Sequence, residues 1–150
     1  LVGKTQTSTG TAIITAGAHQ TIFGGGGEDA YLAKFNSAGV RQWGTYYGGN
    51  GVDNGFSCAT DAANNVYMVG LTGSATSTLI ATVGSYQTTY GGSGDAFFAK
   101  FNSAGVRQWG TYYGANGADD GLGLRAGHYN GWQGQKRLRR VLRGDRPYPL

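Results

Sequence analysis

The sequence predicts an all-β fold with essentially no helix, and three observations carry that prediction. Glycine occupies 29 of the 150 positions, well above its usual level of roughly 7%, and so indicates many turns. The chain also contains ten Tyr and six Phe, residue types that favour strands. No segment has the i, i+3, i+4, i+7 apolar spacing of an amphipathic helix. The short apolar segments between turn signals are therefore predicted to be strands.

Four strands are predicted in the middle of the chain. They cover residues 29–35, 40–47, 56–61 and 66–71. The first is a nearly continuous apolar run, which is typical of a strand covered on both faces. Residues 36–39 form a turn that joins the first two strands into a hairpin. Residues 73–94 are a long connection rich in Ser, Thr and Gly, with a short extended piece predicted at 86–90.

An internal repeat accounts for most of the chain. Residues 33–48 read AKFNSAGVRQWGTYYG, and residues 99–114 are identical at all sixteen positions. The match continues upstream with the offset increased by one, because Glu28 has no counterpart. The predicted divisions are the end of one repeat with its connecting loop (1–28), a complete repeat (29–94), the first half of another (95–121) and a basic tail (122–150).

Four antiparallel strands in each tandem repeat are typical of a β-propeller blade. The chain would hold about one and a half blades, whereas propellers have roughly 4–8, so the sequence predicts a fragment of a longer protein. An isolated blade exposes its faces and edges, so we expect it to pack against further blades and to self-associate when they are missing. The repeated aromatic residues predicted to pack between blades are Phe35, Trp43, Tyr46, Tyr47, Tyr67, Phe101, Trp109, Tyr112 and Tyr113.

Particular segments of the repeat resemble a known family. They are DAFFAKFN at 95–102, WGTYYG at 109–114, ATD at 59–61 and NVYMVGLT at 65–72. With them, residues 1–121 are similar to the SBBP family of bacterial β-propeller repeats. The resemblance implies a propeller in a large secreted or cell-surface bacterial protein. It implies no catalytic residue.

The positive charge is confined to the end of the chain. Residues 1–120 carry five cations and seven anions, a net charge of −2, whereas residues 121–150 carry seven cations and one anion, a net charge of +6. Repeat similarity stops close to Gly121, and a basic run, KRLRR, follows at 136–140. Either an out-of-frame reading or a native basic extension would produce this break. No aromatic platform or base-reading motif accompanies the run, so nucleic acid is not an expected partner.

Four aspartates are the candidate metal ligands. Asp53, Asp61, Asp119 and Asp120 offer the hard oxygen atoms that calcium prefers, although the spacing of an EF-hand loop is absent. Asp in turns usually bonds to its own backbone, and this interpretation is favoured over calcium. No cofactor is expected.

The remaining reactive or glycine-rich positions have structural interpretations. His19 aligns with Tyr86 in the other copy, which predicts a packing aromatic and not a ligand. Cys58 lies between Ser57 and Ala59 in a predicted strand and is expected to be a small buried hydrophobe. The glycines at 24–27 lack the Gly-Lys-Ser/Thr of a phosphate-binding loop and are predicted to be a turn before a strand.

The sequence therefore favours a structural or binding module that presents loops to a protein or carbohydrate partner. The alternative is part of a propeller enzyme, a hydrolase or lyase, whose catalytic residues lie in blades outside this sequence. A polar residue that breaks the repeat in one of those blades would favour the enzyme. No apolar run approaches the roughly 20 residues of a membrane-spanning helix.

Overall fold

The computed structural model describes residues 1–9, 11–75 and 77–125, and it is nearly all β. Its seven strands are β1 (Val2–Thr5), β2 (Asp29–Phe35), β3 (Arg41–Tyr47), β4 (Asp53–Thr60), β5 (Val66–Thr72), β6 (Asp95–Phe101) and β7 (Arg107–Tyr113). One four-residue helix, α1 (Ser77–Ile80), lies in the long connection. The predicted all-β class is confirmed.

The strands form two antiparallel sheets in which neighbours in sequence are neighbours in space. Sheet 1 has the order β1-β2-β3, and sheet 2 has the order β4-β5-β6-β7. The identical segments of the repeat place β2 and β3 in sheet 1 and their copies, β6 and β7, in sheet 2. Both hairpins carry a register shift at the same place, between Lys34 and Phe35 and between Lys100 and Phe101. Identical sequence has produced the same local geometry twice.

The four strands predicted within one repeat do not form one sheet. The chain leaves sheet 1 after β3 and enters sheet 2 at β4, so the glycine-rich segment 48–52 crosses between layers. The crossing is close, because the Cα of Gly55 lies against Val2 and the backbone of Gly3. Sheet 2 thus takes two strands from one copy and two from the next. The predicted single four-stranded unit is corrected accordingly.

Strand limits otherwise follow the predictions closely, with two exceptions. The third predicted strand begins earlier, at Asp53, and residues 86–90 form no strand. Gln87 contacts β7 through isolated bonds: its amide donates to Thr111 Oγ1 at 2.9 Å, and its carbonyl accepts from Tyr112 N at 3.1 Å. Only the backbone groups of Gln87 bond to β7 in this way, so the segment does not pair with β7 as a strand.

The hairpin turns are built from Asn and Gly. The Asn36 side chain accepts bonds from the amides of Ala38 and Val40, at 3.0 and 2.9 Å. Gly39 has a φ of 77°, in the left-handed region that only glycine enters without a steric cost. The copy at residues 102–105 repeats both features, with a φ of 84° at Gly105.

The core lies between the two sheets. Trp43 stacks on Phe101 with ring centroids 6.0 Å apart, and Tyr47 meets Phe97 at 4.9 Å. The rest of the buried cluster is aliphatic or aromatic, from both sheets, α1 and the residue that follows α1: Ala30, Leu32, Val66, Met68, Ile80, Ala81, Ala99 and Tyr112. The inner face of each sheet is covered by the other sheet. Without its partner, neither sheet could bury these side chains.

Candidate functional site

The two surfaces that face away from the core are the first candidate site. We define the outer face of sheet 1 by Tyr31, Ala33 and Phe35, and the outer face of sheet 2 by Tyr67, Phe98, Trp109 and Tyr113. Tyr67 has no copy in sheet 1, and the copies of the other six residues lie in the core. Phe35 is 45% exposed and its copy Phe101 is 0% exposed; Tyr113 is 45% exposed and its copy Tyr47 is 0% exposed. Phe35 and Tyr113 are thus uncovered, whereas the same residues in the other copy are covered.

The outer face of sheet 2 is organised as an aromatic cluster. Phe98 meets Trp109 edge to face at 4.9 Å, and both rings approach Tyr67, at 6.1 and 6.3 Å. The Lys100 ammonium lies 5.4 Å from the Tyr67 ring centroid. An aromatic, cation-capped surface of this kind suits a flat partner such as another sheet.

Polar contacts accompany the aromatic packing where the sheets do meet. The Trp43 indole N–H donates to the Ser103 carbonyl at 3.0 Å, and Lys34 donates to the carbonyls of Asn64 and Ser103, each at 3.3 Å. The Tyr47 hydroxyl donates to the Ile80 carbonyl. These bonds fix the lateral position of one sheet on the other.

The second candidate site is a group of buried carboxylates where β2 and β4 begin. Asp53 accepts from the Thr72 hydroxyl, from Ser74 Oγ at 2.7 Å and from Gly49 N at 2.8 Å. Burial raises the pKa of Asp53, and the bonds from Thr72 and Ser74 oppose that rise. The arrangement ties the crossing segment to β5.

Asp29 lies beside Asp53 and was not among the predicted candidate ligands. Its Oδ2 accepts from Gly24 N at 2.7 Å and from Gln20 Nε2 at 3.3 Å, whereas its buried Oδ1 has no hydrogen-bond partner in the described part of the chain. A Cβ on Gly48 would lie 2.7 Å from Asp29 Oδ1 and from Asp53 Oδ2, so only glycine fits between them. Burial raises the pKa of Asp29 to about 6. The recurrence of Asp29 as Asp95 was its sequence signal.

The other predicted calcium ligands lie apart. Asp61 caps its own turn, accepting from Asn65 Nδ2 at 2.8 Å and Ala63 N at 2.9 Å, and the Asn65 bond lowers the pKa of Asp61. Asp119 accepts from Ala115 N at 2.9 Å, and Asp120 is exposed. Among the residues described, no three His, Cys, Asp or Glu side chains form a metal-binding group. The preference for turn bonding over calcium binding at the four aspartates stays a prediction.

A pocket of about 330 Å³ lies in the loops at one end of sheet 2. Its lining is mostly small and hydroxyl-bearing: Ala75, Thr78, Ala81, Thr82, Val83, Thr88, Thr89 and Tyr90. Five of these eight residues differ from their counterparts in the first copy, whereas the hairpins below them are almost unchanged. The loops vary on a constant scaffold.

His19 and Cys58 both lie at the core. The His19 ring packs against Tyr47 and Phe101 at 5.7 and 6.0 Å, and Nε2 lies 3.3 Å from the Leu79 carbonyl oxygen. Burial lowers the pKa of His19 to about 4, so the ring is neutral near pH 7. Cys58 is half-buried, and not fully buried as predicted, because it belongs to the edge strand β4.

The structure describes the glycine-rich turn at 24–27 but not the basic run. Gly25 and Gly26 adopt φ values of 114° and 64° immediately before β2, as a turn requires. The basic run at 136–140 lies outside the described residues.

Comparison with known proteins gives no family assignment. No protein-family model matches the chain, and no curated protein matches it. Within the described ranges, no helix is both long and apolar enough to cross a membrane.

Proposed function

We propose that this chain is a segment of a tandem β-repeat protein of the propeller class, in which each sheet packs against the next copy of itself. The observation that supports this is the unequal burial of identical residues. Phe101 and Tyr47 are fully buried between the sheets, whereas their copies Phe35 and Tyr113 are each 45% exposed. A further sheet on either side would cover them in the way the present pair is covered.

The module would act by presenting loops to a protein or carbohydrate partner. Its hairpins are nearly constant, whereas five of eight pocket-lining positions differ between the copies. Tyr90 and the Thr hydroxyl groups offer an aromatic surface and hydrogen-bonding groups, which together suit a saccharide or a peptide. The resemblance to SBBP repeats supports a place in a secreted or cell-surface bacterial protein.

Adding one repeat tests the stacking. A second copy of residues 53–118 inserted between Ala118 and Asp119 adds a four-stranded sheet in the present order. We expect a higher free energy of unfolding and a larger dependence on urea concentration, because unfolding then exposes a second sheet-to-sheet core. The control carries Ser in place of Phe97 and Phe101 in the inserted copy only. Equal stability of the control and the insertion chain would contradict the proposal.

Binding by the loops is tested by nuclear magnetic resonance. We expect chito- or cello-oligosaccharides to shift the amide signals of Thr82 and Tyr90, and Tyr90→Ala to remove the shifts. Phe23→Ala, at the equivalent position of the first copy, is the matched control. Shifts that survive Tyr90→Ala, or no shifts with either sugar, would argue against a carbohydrate site in this pocket.

A further inference from the structure

Sheet 1 lacks one strand that sheet 2 has. By sequence, β1, β2 and β3 correspond to β5, β6 and β7. The first strand of sheet 2, β4, has no counterpart in sheet 1, so β1 is an edge strand there. An uncovered strand edge presents free backbone groups to any added strand.

The sequence that corresponds to β4 occurs once more, at the other end of the described chain. Asp119-Asp120-Gly121 aligns with Asp53-Asn54-Gly55. Its placement also corresponds: Gly121 lies against the backbone of Gly70 as Gly55 lies against that of Gly3, and Gly121 N donates to the Gly70 carbonyl at 3.4 Å. Residues 119–125 therefore cross sheet 2 as β4 crosses sheet 1, but no strand of the described ranges pairs with them.

The edge strand β1 and the residues directly after it already hold the matching hydroxyl groups. In sheet 2, Ser74 N donates to Thr72 Oγ1 at 3.1 Å, and both side chains bond to Asp53. In sheet 1, Thr7 N donates to Thr5 Oγ1 at 3.0 Å in the same way. Neither Thr hydroxyl has a carboxylate partner within the residues described. The pair matches the one that binds Asp53 in sheet 2, and no aspartate occupies the equivalent position in the described part of sheet 1.

We propose that two copies of this chain dock head to tail, with residues 119–125 of one copy forming the fourth strand of sheet 1 in the next. Asp119 then accepts from Thr5 and Thr7, as Asp53 accepts from Thr72 and Ser74. This inference rests on the proposed stacking of sheets, and it names the partner in solution as a second copy of the chain.

The sheet faces meet in the same docking step. The outer face of sheet 2 packs on the outer face of sheet 1 of the next copy. Tyr113 takes the place of Tyr47 and contacts Tyr31 and Phe35, which stand where Phe97 and Phe101 stand in the existing core. The Trp109 indole N–H donates to the Ser37 carbonyl, which corresponds to that of Ser103.

This contact joins two different surfaces and leaves one of each free, so further copies can add. Sedimentation velocity of the full 150-residue chain over a range of concentrations is the first measurement. We expect mass to rise with concentration. A wild-type chain that stays monomeric throughout would overturn the proposal.

Two single variants and their mixture identify the surfaces. Phe35→Glu blocks one face and Tyr113→Glu blocks the other, and each residue is 45% exposed, so the fold should tolerate both changes. We expect each variant alone to be monomeric. An equimolar mixture should form a dimer, because one intact pair of faces remains. Val83→Glu, at a side chain that is 94% exposed and outside both faces, should associate like the wild type.

The mixture separates head-to-tail docking from a symmetric contact. Association of either variant alone, or a mixture that remains monomeric, would contradict the proposal. The strand contact has its own variant: Asp119→Ala should raise the dissociation constant at least about tenfold, and an unchanged constant would exclude the added strand. If the wild type is monomeric yet the inserted repeat is stabilising, only this inference fails. If the insertion is also without effect, the proposed function fails too.

Discussion

Asp53 and Asp119 occupy equivalent positions but have different surroundings. Asp53 is fully buried and accepts bonds from two hydroxyl groups and an amide. Asp119 is half-buried, and the one side-chain bond described for it comes from Ala115 N. A hydrogen bond to a buried carboxylate contributes most where its loss leaves donors without water or another partner.

We therefore expect Asp53→Ala to lower the free energy of unfolding by roughly 1–3 kcal/mol. The hydroxyl groups of Thr72 and Ser74 would lose their carboxylate acceptor, and Gly49 N would keep only its bond to Ser74 Oγ. Asp119→Ala is the matched control and should cost much less at low protein concentration. Urea denaturation measures both. If both variants lost the same free energy of unfolding, the buried hydrogen bonds around Asp53 would contribute no more to stability than the turn bond of Asp119.

Asp29 predicts an unusual pH dependence. Its pKa is raised to about 6 in the folded protein, above the roughly 3.9 of an unfolded chain. Between these values the folded state binds more protons, so the Asp29 contribution to stability is present at low pH and is lost as pH rises through 6.

Asp29→Asn should remove this dependence. The amide is neutral at every pH, and its NH₂ group takes the place of the unpaired Oδ1. We expect the variant to be more stable than the wild type at pH 7.5 by at least about 1 kcal/mol, with the difference shrinking toward pH 4. Urea denaturation at several pH values measures it. A constant difference across that range would contradict the proposed protonation of Asp29.

At the scale of the elements, glycine allows each loop to lie directly on a strand. A Cβ on Gly44 would overlap the carbonyl oxygen of Ile13, and a Cβ on its copy Gly110 would overlap that of Ile80. Both contacts are with backbone, which cannot rotate away as a side chain can. The loops that precede β2 and β6 therefore depend on glycine in β3 and β7.

Gly44→Ala should destabilise the protein by roughly 1–3 kcal/mol, the usual cost of overpacking. Gly117→Ala is the control, because a Cβ there has no neighbour within 4 Å. Thermal unfolding compares the two. A neutral Gly44→Ala would mean that the loop moves freely away from β3.

Most of the elements were predictable because their signals are local. The turns at 36–39 and 102–105, each beginning with Asn and ending with Gly, and the apolar runs beside them predicted both hairpins. The repeat predicted that the second hairpin copies the first. The division into two sheets depends on a contact between distant residues, because the crossing after β3 requires Gly55 to fit against Gly3, 52 residues earlier. The Asp29–Asp53 pair is likewise formed by tertiary packing. No spacing in the sequence brings those two carboxylates together.

At the scale of the whole molecule, the two sheets depend on each other for burial. Phe101 is 0% exposed and lies against Trp43 and Tyr47 from the opposite sheet. Its copy Phe35 faces away from the core and is 45% exposed. Residue type and local sequence are the same, so the difference isolates the effect of packing.

Phe101→Ala should cost about 3–5 kcal/mol, as expected for a buried Phe. Phe35→Ala should cost within about 1 kcal/mol in the monomer, because the partly exposed ring loses few contacts. Chemical denaturation at low protein concentration measures both. Similar losses would show that the sheets do not share a core.

The shift between the sequence repeat and the sheets has a genetic consequence. A crossover between the two identical sixteen-residue segments would delete or add one whole unit, and the rejoined hairpin would have the same sequence as before. Because the four-stranded sheet combines the end of one unit with the start of the next, each unit that is added would bring one complete four-stranded sheet. Such a gene can change length in whole layers without producing a misfolded junction.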